Sequence, residues 1–387
     1  MKILIVVPDT EVGGITTSAV NFSNELTYRG HEVLFLDMSG ENAYADRLNE
    51  KVSFLSLKGK STLWNISSQS LKEARGLKKL GILALGAIKK LTIRSGLWYK
   101  LIFSKFSKDE SFDAAIAFRQ CDSCYSYVLD KLNAKKKIGF IHGELMYMGD
   151  ISSWKKYMTR FDKIAYVSNA VKEQFIKIHP ELERNACTIY NTFDVEQIKA
   201  MAEDMCEVNF DKNKVNIVTV ARIDNGFKQI DWIVKICDSL KKKTHTPFHW
   251  YVVGGGPDYD STVAMAAELG ALDVITFVGN QSNPYSFIKQ SDFTALTSKS
   301  EAYGMVIIES FVLKKPIVVA RFSSVVEMME HGKQGLIAEQ SIESLEELIW
   351  CMIDNTDGIR EGCTNYLQGI EINNDITYAQ FLDAIGD

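Results

Sequence analysis

Two glutamates, Glu301 and Glu309, enclose mostly apolar or small residues in the stretch SKSEAYGMVIIES, residues 298–310. A carboxylate is rarely tolerated in an apolar setting unless a partner or a ligand compensates its charge. A strand pattern precedes Glu301, and a helix is predicted from near Gly304 or Met305. Glu301 is therefore predicted in a loop and Glu309 about one turn inside the helix. Two hydroxyl acceptors beside a helix N-terminus, which attracts anions, suit a ligand that carries both polyols and phosphate.

Two cations follow another strand pattern, in the stretch ARIDNGFKQ. Arg222 offers a planar guanidinium that can bind two oxygens at once, and Lys228 offers a flexible point charge. A diphosphate requires such a combination. Because ligands bind outside the carboxyl ends of parallel strands, the position favours a phosphate role over that of ordinary surface cations.

Glycines and a histidine follow further strand patterns. Gly254 stands in GGGP, and Gly279 and Asn280 precede a helix predicted near Tyr285. Glycine there allows either a ligand to approach the backbone or a tight turn, and both interpretations stay open. A nucleobase could stack near Asn280, although a plain turn explains these residues as well. His142 also ends a strand pattern, where contact with a ligand is favoured over the role of a packed polar group.

The surrounding elements alternate between strand and helix patterns in two successive series. The chain opens with the apolar run ILIVVP, then a Gly13-Gly14 loop, a helical pattern over 16–28 and the strand EVLFLD. Strand patterns of the first series lie at 3–8, 32–37, 114–118, 137–143, 163–168 and 187–191. Those of the second series lie at 215–222, 250–256, 274–279, 293–297, 316–320 and 335–339, before a helical end over 341–387. A polar, acidic segment near 194–213 separates the series, which predicts an α/β protein of two Rossmann-like domains with a cleft between them.

Composition excludes several classes of protein. The chain has 387 residues, 46% of them hydrophobic and 24% charged, which suits two globular domains. A net charge of −5 argues against a nucleic-acid-binding protein. We expect neither a signal peptide nor a membrane-spanning helix, because apolar runs are too short. Seven scattered cysteines suit a reducing cytoplasm, and the C-x-x-C of Cys121 and Cys124 is predicted to be structural or incidental.

One segment, residues 71–108, reverses the sign of the charge. It contains ten basic residues against a lone Glu73, with Trp98, Tyr99 and Phe103 interleaved. This pattern predicts one or two basic amphipathic helices. Such helices are either solvated domain helices whose lysines extend over a core face, or a peripheral contact with an anionic membrane. We favour the membrane, to which each basic residue near the surface adds about 1 kcal/mol of attraction.

These motifs resemble family 4 of the retaining glycosyltransferases, which have the two-domain GT-B fold. The resemblance rests on E-x7-E with an aromatic-glycine pair after the first Glu, and on the Arg and Lys upstream. It extends through IHG, SNAVKEQF, IYNTFD, VVGGGP and VGN to EAYGMVIIES. The family more often has Glu-Gly-Phe-Gly where this chain has Glu-Ala-Tyr-Gly at 301–304. The aromatic residue and the second glycine are kept, so the backbone donors should be retained.

The resemblance implies a different role for each domain. Residues 1–195 form an acceptor-binding domain, residues 196–370 a nucleotide-sugar-binding domain, and residues 371–387 a helix that packs back on the first domain. The protein is then a hexosyltransferase-type enzyme that retains the anomeric configuration, uses no metal or cofactor and favours UDP over GDP. Its acceptor is a glycan or lipid-linked glycan of bacterial cell-surface polysaccharide synthesis. The location implied is cytoplasmic, with possible peripheral attachment to the inner face of the membrane.

The resemblance also assigns roles to residues. Arg222 and Lys228 neutralise the diphosphate, and Glu309 binds the ribose. Glu301, as a catalytic residue, and the N–H groups after it hold the donor sugar. His142, also catalytic, reaches the transferred sugar, and the Gly13-Gly14 loop lies against the phosphates and acceptor. The set of donor-binding residues is completed by Gly254, Gly279, Asn280, Tyr303, Gly304 and Met305.

Two alternatives to a glycosyltransferase stay open. One is a nucleotide-sugar epimerase of the same fold, and the other is a non-catalytic scaffold subunit that keeps the sugar-nucleotide site. A phosphorylase would need a cofactor lysine, for which the sequence has no candidate. A dinucleotide-dependent oxidoreductase is excluded because the first loop lacks G-x-G-x-x-G.

Overall fold

The computed structural model describes residues 1–8, 13–39, 45–56, 83–84, 87–88, 110–145, 148, 151–206 and 208–386. The chain divides into two compact units. Unit 1 comprises Met1–Thr192 and Asn374–Asp387, and unit 2 comprises Phe193–Asn373. Most of the basic segment 71–108, on which the membrane prediction rests, lies outside the described residues. In the part of the chain that is described, no helix has the length and apolar character needed to cross a bilayer.

The strands and helices follow the two predicted series closely. In chain order the strands are β1 Lys2–Val7, β2 Glu32–Asp37, β3 Ser53–Ser56, β4 Ser111–Ala117, β5 Asn133–Ile141, β6 Lys163–Tyr166, β7 Ala186–Thr188, β8 Val215–Val220, β9 Phe248–Val253, β10 Ile275–Gly279, β11 Phe293–Leu296, β12 Ile317–Ala320 and β13 Gly335–Ala338. The described α-helices are α1 Gly14–Tyr28, α2 Asp122–Lys131, α3 Ser152–Met158, α4 Asn169–Ile178, α5 Val195–Ala202, α6 Ile230–Lys243, α7 Tyr259–Glu268, α8 Tyr285–Gln290, α9 Met305–Val312, α10 Ile342–Asp354, α11 Ile359–Gln368 and α12 Asp375–Ile385.

Unit 1 is built on a seven-stranded sheet in the order β3-β2-β1-β4-β5-β6-β7. Its strand pairs are all parallel. The interior strand β1 is buried from Ile3 to Val7, which explains its continuous apolar run. Aromatic side chains fill one face of the sheet: the ring of Phe22 on α1 lies 5.7 Å from those of Phe118 and Phe140.

The C-terminal helix α12 belongs to unit 1, although the chain reaches it only after passing through unit 2. Phe381 is fully buried, and its ring meets Phe22 edge-on at 5.5 Å. Arg29, which follows α1, also pairs with Asp375, the first residue of α12, at 2.5 Å. The last helix is therefore part of the core of unit 1.

Unit 2 is built on a six-stranded parallel sheet in the order β10-β9-β8-β11-β12-β13. Apolar clusters cover both faces of this sheet. On one face, Trp250 of β9 packs in the same cluster as Leu240 of α6 and Ile349 of α10. The Trp250 indole N–H donates to Thr219 Oγ1 at 3.0 Å, so this large side chain is buried without an unsatisfied donor. Two parallel α/β units confirm the predicted fold class.

Strand β3 and helix α5 are among the elements that were not predicted. Strand β3 has only four residues, none of them fully buried, so it lacks the long apolar run of its neighbours. Helix α5 lies in the segment that the sequence suggested was only polar and acidic. Asp194 caps α5 by accepting from the Gln197 N–H at 3.0 Å, and the helix buries Ile198 and Ala202. The N-cap followed by this apolar spacing was the signal for a helix.

Candidate functional site

The order of strands in unit 2 creates a switch point between β8 and β11. From β8 the chain proceeds outward through β9 and β10, and then returns to β11 before proceeding the other way. Loops that leave two such neighbouring strands diverge, and ligands of open α/β sheets bind in the crevice between them. The β8 loop carries Arg222 and Lys228, and the β11 loop carries Glu301. The loops after β8, β9, β10 and β11 thus bring most of the predicted donor-binding residues of unit 2 to one edge of its sheet, and Met305 and Glu309 lie in the helix that follows the last of these loops.

The β8 loop is held by its own backbone and by the loop after β9. The Lys228 N–H donates to Asp224 O at 2.7 Å, and the Asn225 N–H donates to Asp258 Oδ2 at 2.7 Å. Arg222 is exposed, and within the described part of the chain its side chain enters no hydrogen bond or ion pair. The β8 loop is held in place and the Arg222 guanidinium pairs with no described residue, so this loop is suited to bind an anion.

The β11 loop places Glu301 directly against Lys228. Glu301 Oε1 accepts from Lys228 Nζ at 2.5 Å and from Ser298 Oγ at 2.7 Å. The side chains of Lys228 and Glu301 are only 24% and 16% exposed, so the pair is mostly shielded from water. The sequence had assigned these two residues to different parts of a ligand, and it did not predict that they pair. Ser298 was also missed, although it stands just after the strand and three residues before the glutamate.

The helix α9 begins where it was predicted. Its N-cap, Gly304, has φ 72° and ψ 59°, a left-handed conformation that favours glycine. A Cβ at this position would also lie 3.1 Å from the Phe322 ring. Tyr303 packs its ring 6.3 Å from that of Phe193, and Met305 is the first residue of the helix. α9 therefore begins at the end of the loop that carries Glu301, and the first N–H groups of a helix have no partner within it.

Glu309 lies in α9 and is only 6% exposed. Tyr285, the first residue of α8, donates its hydroxyl to Glu309 Oε1 at 3.4 Å. A carboxylate this deeply buried needs hydrogen-bond donors, and a ribose diol supplies two. Glu309 therefore lies about one helical turn after the start of α9, the helix that follows the β11 loop.

Close backbone contact explains the glycines after β9. A Cβ on Gly254 would lie 2.0 Å from Ala221 O, and one on Gly256 would lie 2.1 Å from Ile223 O. The Gly254 N–H also donates to Gly279 O at 2.8 Å. These glycines are required for the β8, β9 and β10 loops to pack together, whether or not a ligand touches them. Asn280 is exposed beside this turn.

The candidate residues of unit 1 lie at the carboxyl edge of its own sheet. Gly13 and Gly14 begin α1, are exposed and have open space around them. His142 follows β5, where its backbone N–H donates to Gln120 Oε1 at 3.2 Å and its ring lies 4.9 Å from that of Phe118. No contact between His142 and the glycine pair is recorded among the described residues.

The imidazole of His142 is held in its neutral form. Burial lowers the pKa of His142 to about 3, far below the ordinary value near 6.5. The Nε2 atom is buried and has no hydrogen-bond partner among the described residues. Buried polar atoms are usually satisfied, so this unpaired nitrogen is suited to exchange a hydrogen bond with a ligand hydroxyl.

The C-x-x-C motif lies at the start of α2. Both thiols are free; Cys124 is buried and its thiol contacts Val6 O at 3.1 Å, while Cys121 Sγ lies 3.2 Å from Ser123 Oγ. Burial raises the pKa of Cys124 well above its ordinary value, which keeps it protonated. Among the described residues, no cluster of three or more His, Cys, Asp or Glu could hold a metal ion.

Comparison with known proteins agrees with this geometry. Residues 201–367 match the family model of glycosyl transferases group 1, a match that covers less than half of the chain. N-acetyl-alpha-D-glucosaminyl L-malate synthase of Bacillus anthracis is 23% identical over 180 residues, which are 45% of this chain and 46% of that protein. The N-acetylgalactosamine-N,N'-diacetylbacillosaminyl-diphospho-undecaprenol 4-alpha-N-acetylgalactosaminyltransferase of Campylobacter jejuni is 26% identical over 182 residues, which are 46% of this chain and 44% of that protein. The chain thus spans about half the length of the relatives it matches.

A likeness to solved structures covers the whole length of the chain. The crystal structure of Anabaena HepE in complex with UDP has a TM-score of 0.68 and 16% identity, over 100% of both chains. At this level of identity the likeness establishes the architecture, which is the GT-B fold.

Proposed function

We propose that this protein is a retaining, metal-independent glycosyltransferase that transfers a sugar from a nucleotide diphosphate to a glycan acceptor. The proposal rests above all on one observation, the meeting of Arg222, Lys228, Glu301 and the start of α9 at the switch point of unit 2. The group 1 match over residues 201–367 covers the same loops. UDP is favoured over GDP, which the UDP-bound structure of HepE supports.

Each group has a distinct chemical task in this proposal. Arg222 and Lys228, with the N–H groups of Tyr303, Gly304 and Met305, stabilise the negative charge that grows on the departing diphosphate. These groups take the part that a magnesium ion plays in other transferases. Glu309 accepts hydrogen bonds from the ribose, and Glu301 from hydroxyls of the donor sugar.

We propose that the anomeric configuration is retained because the acceptor attacks the same face of the sugar that the diphosphate leaves. In that reaction the acceptor hydroxyl forms the new bond to the anomeric carbon as the bond to the diphosphate breaks. The acceptor's proton passes to the leaving phosphate, so no enzymic nucleophile is needed. The neutral His142, with its unpaired Nε2, can hydrogen-bond a hydroxyl of the transferred sugar without adding a charge.

The acceptor is proposed to be a lipid-linked glycan of a bacterial cell-surface polysaccharide, met at the cytoplasmic face of the membrane. Two observations support this step. The Campylobacter jejuni relative is named for a diphospho-undecaprenol acceptor. The basic residues of segment 71–108 have the composition of a surface that binds anionic lipid.

The donor site is tested with a panel of UDP-glucose, UDP-galactose, UDP-N-acetylglucosamine and GDP-mannose, by following hydrolysis and by separating the sugar products. We expect slow release of UDP from one of the UDP-sugars, and loss of this release in Lys228→Ala. Lys235→Ala is the matched control because Lys235 also pairs with a carboxylate, Asp231, but on the side of α6. Accumulation of an epimerised sugar nucleotide would instead identify an epimerase. Failure of every nucleotide sugar to bind would overturn the proposal.

Membrane attachment needs a separate experiment. The protein should sediment with vesicles containing anionic phosphatidylglycerol, and replacing Lys78, Lys79, Lys89 and Lys90 by Ala should release it. The control replaces Lys235, Lys241, Lys242 and Lys243 of α6, which removes the same four positive charges from unit 2. Wild-type protein that stays in the supernatant would contradict the membrane contact and leave the donor site unaffected.

A further inference from the structure

Gln340 joins three strand ends at the edge of unit 2. Its side-chain Nε2 donates to Ser298 O at 3.0 Å and to Arg321 O at 2.9 Å. It also lies 3.5 Å from Lys299 O. Ser298 and Arg321 follow β11 and β12, where the sheet ladder no longer supplies partners for carbonyl groups. One primary amide therefore uses both of its N–H groups to tie two diverging loops to the loop that follows β13.

The backbone around Gln340 fixes the position of this amide. Only residues 339–341 separate β13 from α10, and Ser341 caps that helix by accepting from the Ser344 N–H at 3.1 Å. In return, the Glu339 N–H donates to Ser344 Oγ at 3.0 Å. These reciprocal bonds at the start of α10 restrain the short loop, so the backbone that carries Gln340 is held in place.

Ser298, which accepts a hydrogen bond from Gln340, also bonds to Glu301. Ser298 is fully buried, and its hydroxyl donates to Glu301 Oε1 at 2.7 Å. Two further bonds hold the same loop: Ser324 Oγ donates to Glu301 O at 3.2 Å, and the Lys299 N–H donates to Phe227 O at 2.9 Å. Gln340 therefore holds Ser298, and Ser298 in turn orients the Glu301 carboxylate.

We propose that Gln340 is a positioning residue for the donor sugar, which it serves by holding the Ser298–Glu301 segment in place. This inference rests on the proposed function, because Glu301 is the group assigned to the sugar. A carboxylate that recognises hydroxyls must be placed to within about 0.5 Å, and such placement depends on the bonds behind the contacting residue. Gln340 bonds to neither Lys228 nor Glu309, and it reaches the Lys228–Glu301 pair only through Ser298, so its loss should weaken recognition of the sugar more than binding of the nucleotide part.

The first test needs no ligand. Gln340→Met removes the donor while keeping the length of the side chain, and Gln340→Glu replaces it by a group that repels carbonyl oxygens. Both should increase amide hydrogen exchange in peptides covering 298–304. Glu339→Gln is the control, since it removes only the exposed ion pair with Arg321. Exchange in 298–304 that is the same in wild type and both Gln340 variants would overturn the proposal.

The second test separates sugar recognition from nucleotide binding. We expect kcat/KM for the most active nucleotide sugar of the panel to fall about tenfold in both Gln340 variants, while the Kd for UDP stays within twofold. An equal loss of UDP affinity would indicate general damage to the fold and contradict a positioning role. If wild-type protein binds no nucleotide sugar, the proposed function fails on its own, and the exchange experiment still decides whether Gln340 holds the loop.

Discussion

Lys228 and Glu301, 73 positions apart in sequence, form an ion pair of 2.5 Å across the switch point of unit 2. Each of the two charges is mostly shielded from water and is neutralised by the other. Because both groups are proposed to bind the donor, arrival of a diphosphate offers Lys228 a second anion. The ammonium has three hydrogens, so it can serve Glu301 and a phosphate oxygen at once. The pair is therefore a link between sugar recognition and phosphate recognition.

The energetic coupling of this pair can be measured by a double-mutant cycle. Lys228→Met and Glu301→Gln should each lower the free energy of unfolding by about 1–2 kcal/mol, because each leaves a half-buried charge without its partner. The double variant should lose less than the sum, with a coupling of about 1 kcal/mol in urea denaturation. The more exposed pair Lys235–Asp231 is the control, with an expected coupling of about 0.3–0.5 kcal/mol. Strict additivity at Lys228 and Glu301 would contradict the pair.

Arg222 should affect ligand binding without affecting stability. Its side chain is exposed and, in the described part of the chain, unpaired, so Arg222→Ala should leave the free energy of unfolding within about 0.5 kcal/mol. The same change should weaken UDP binding at least tenfold, about 1.4 kcal/mol, in isothermal titration calorimetry. Arg222→Lys should restore only part of the affinity, since an ammonium cannot replace a bidentate guanidinium. Unchanged affinity in Arg222→Ala would remove this residue from the diphosphate site.

Apart from β3, the sequence predicted the strands of both sheets, because buried parallel strands are continuous apolar runs. It predicted the start of α9 from the glycine that precedes Met305. It could not predict that Lys228 and Glu301 pair, because their contact depends on β8 and β11 being neighbours in the sheet. The contact of Gln340 with Ser298 depends in the same way on the order of β11, β12 and β13.

The glycines after β9 illustrate a different limit. From the sequence, a ligand or a turn explained Gly254 equally well. The structure supplies the reason for glycine at this position, a carbonyl oxygen 2.0 Å from where a Cβ would lie. That distance joins atoms of two loops, and no local pattern contains it.

His142 should make stability depend on pH. The folded protein keeps this imidazole neutral down to about pH 3, whereas an unfolded histidine titrates near pH 6.5. The unfolded state therefore binds one more proton between these values, so stability is lost as pH falls below 6.5. The expected contribution is about 2 kcal/mol between pH 7 and pH 5. Urea denaturation at both values should show a smaller loss for His142→Gln, and parallel losses would contradict a buried neutral imidazole.

The C-terminal helix should be essential to the stability of unit 1. Phe381→Ala removes a fully buried ring that packs on Phe22, and large-to-small changes of this kind cost about 3–5 kcal/mol. Thermal unfolding followed by calorimetry should show a lower Tm for the transition that includes unit 1. Ile376→Ala is the control on the same helix, because Ile376 is 68% exposed and its loss should change little. Equal effects of the two changes would mean that α12 does not pack on unit 1 as described.

Glu309 should determine the preference for a ribose over a deoxyribose. If its buried carboxylate accepts a hydrogen bond from the sugar, wild-type protein should bind UDP about tenfold more tightly than 2′-deoxy-UDP, because hydrogen bonds to charged groups contribute about 1.5–3 kcal/mol. Glu309→Gln should bind both nucleotides with similar, weaker affinity. Tyr285→Phe should reduce the preference in part, since its hydroxyl helps to orient Glu309 Oε1. Glu343→Gln, at an exposed position of α10, is the control and should keep the preference intact. A wild-type protein that does not distinguish the two nucleotides in calorimetry would exclude Glu309 from ribose recognition and leave its burial to be explained by Tyr285 and the other groups around it.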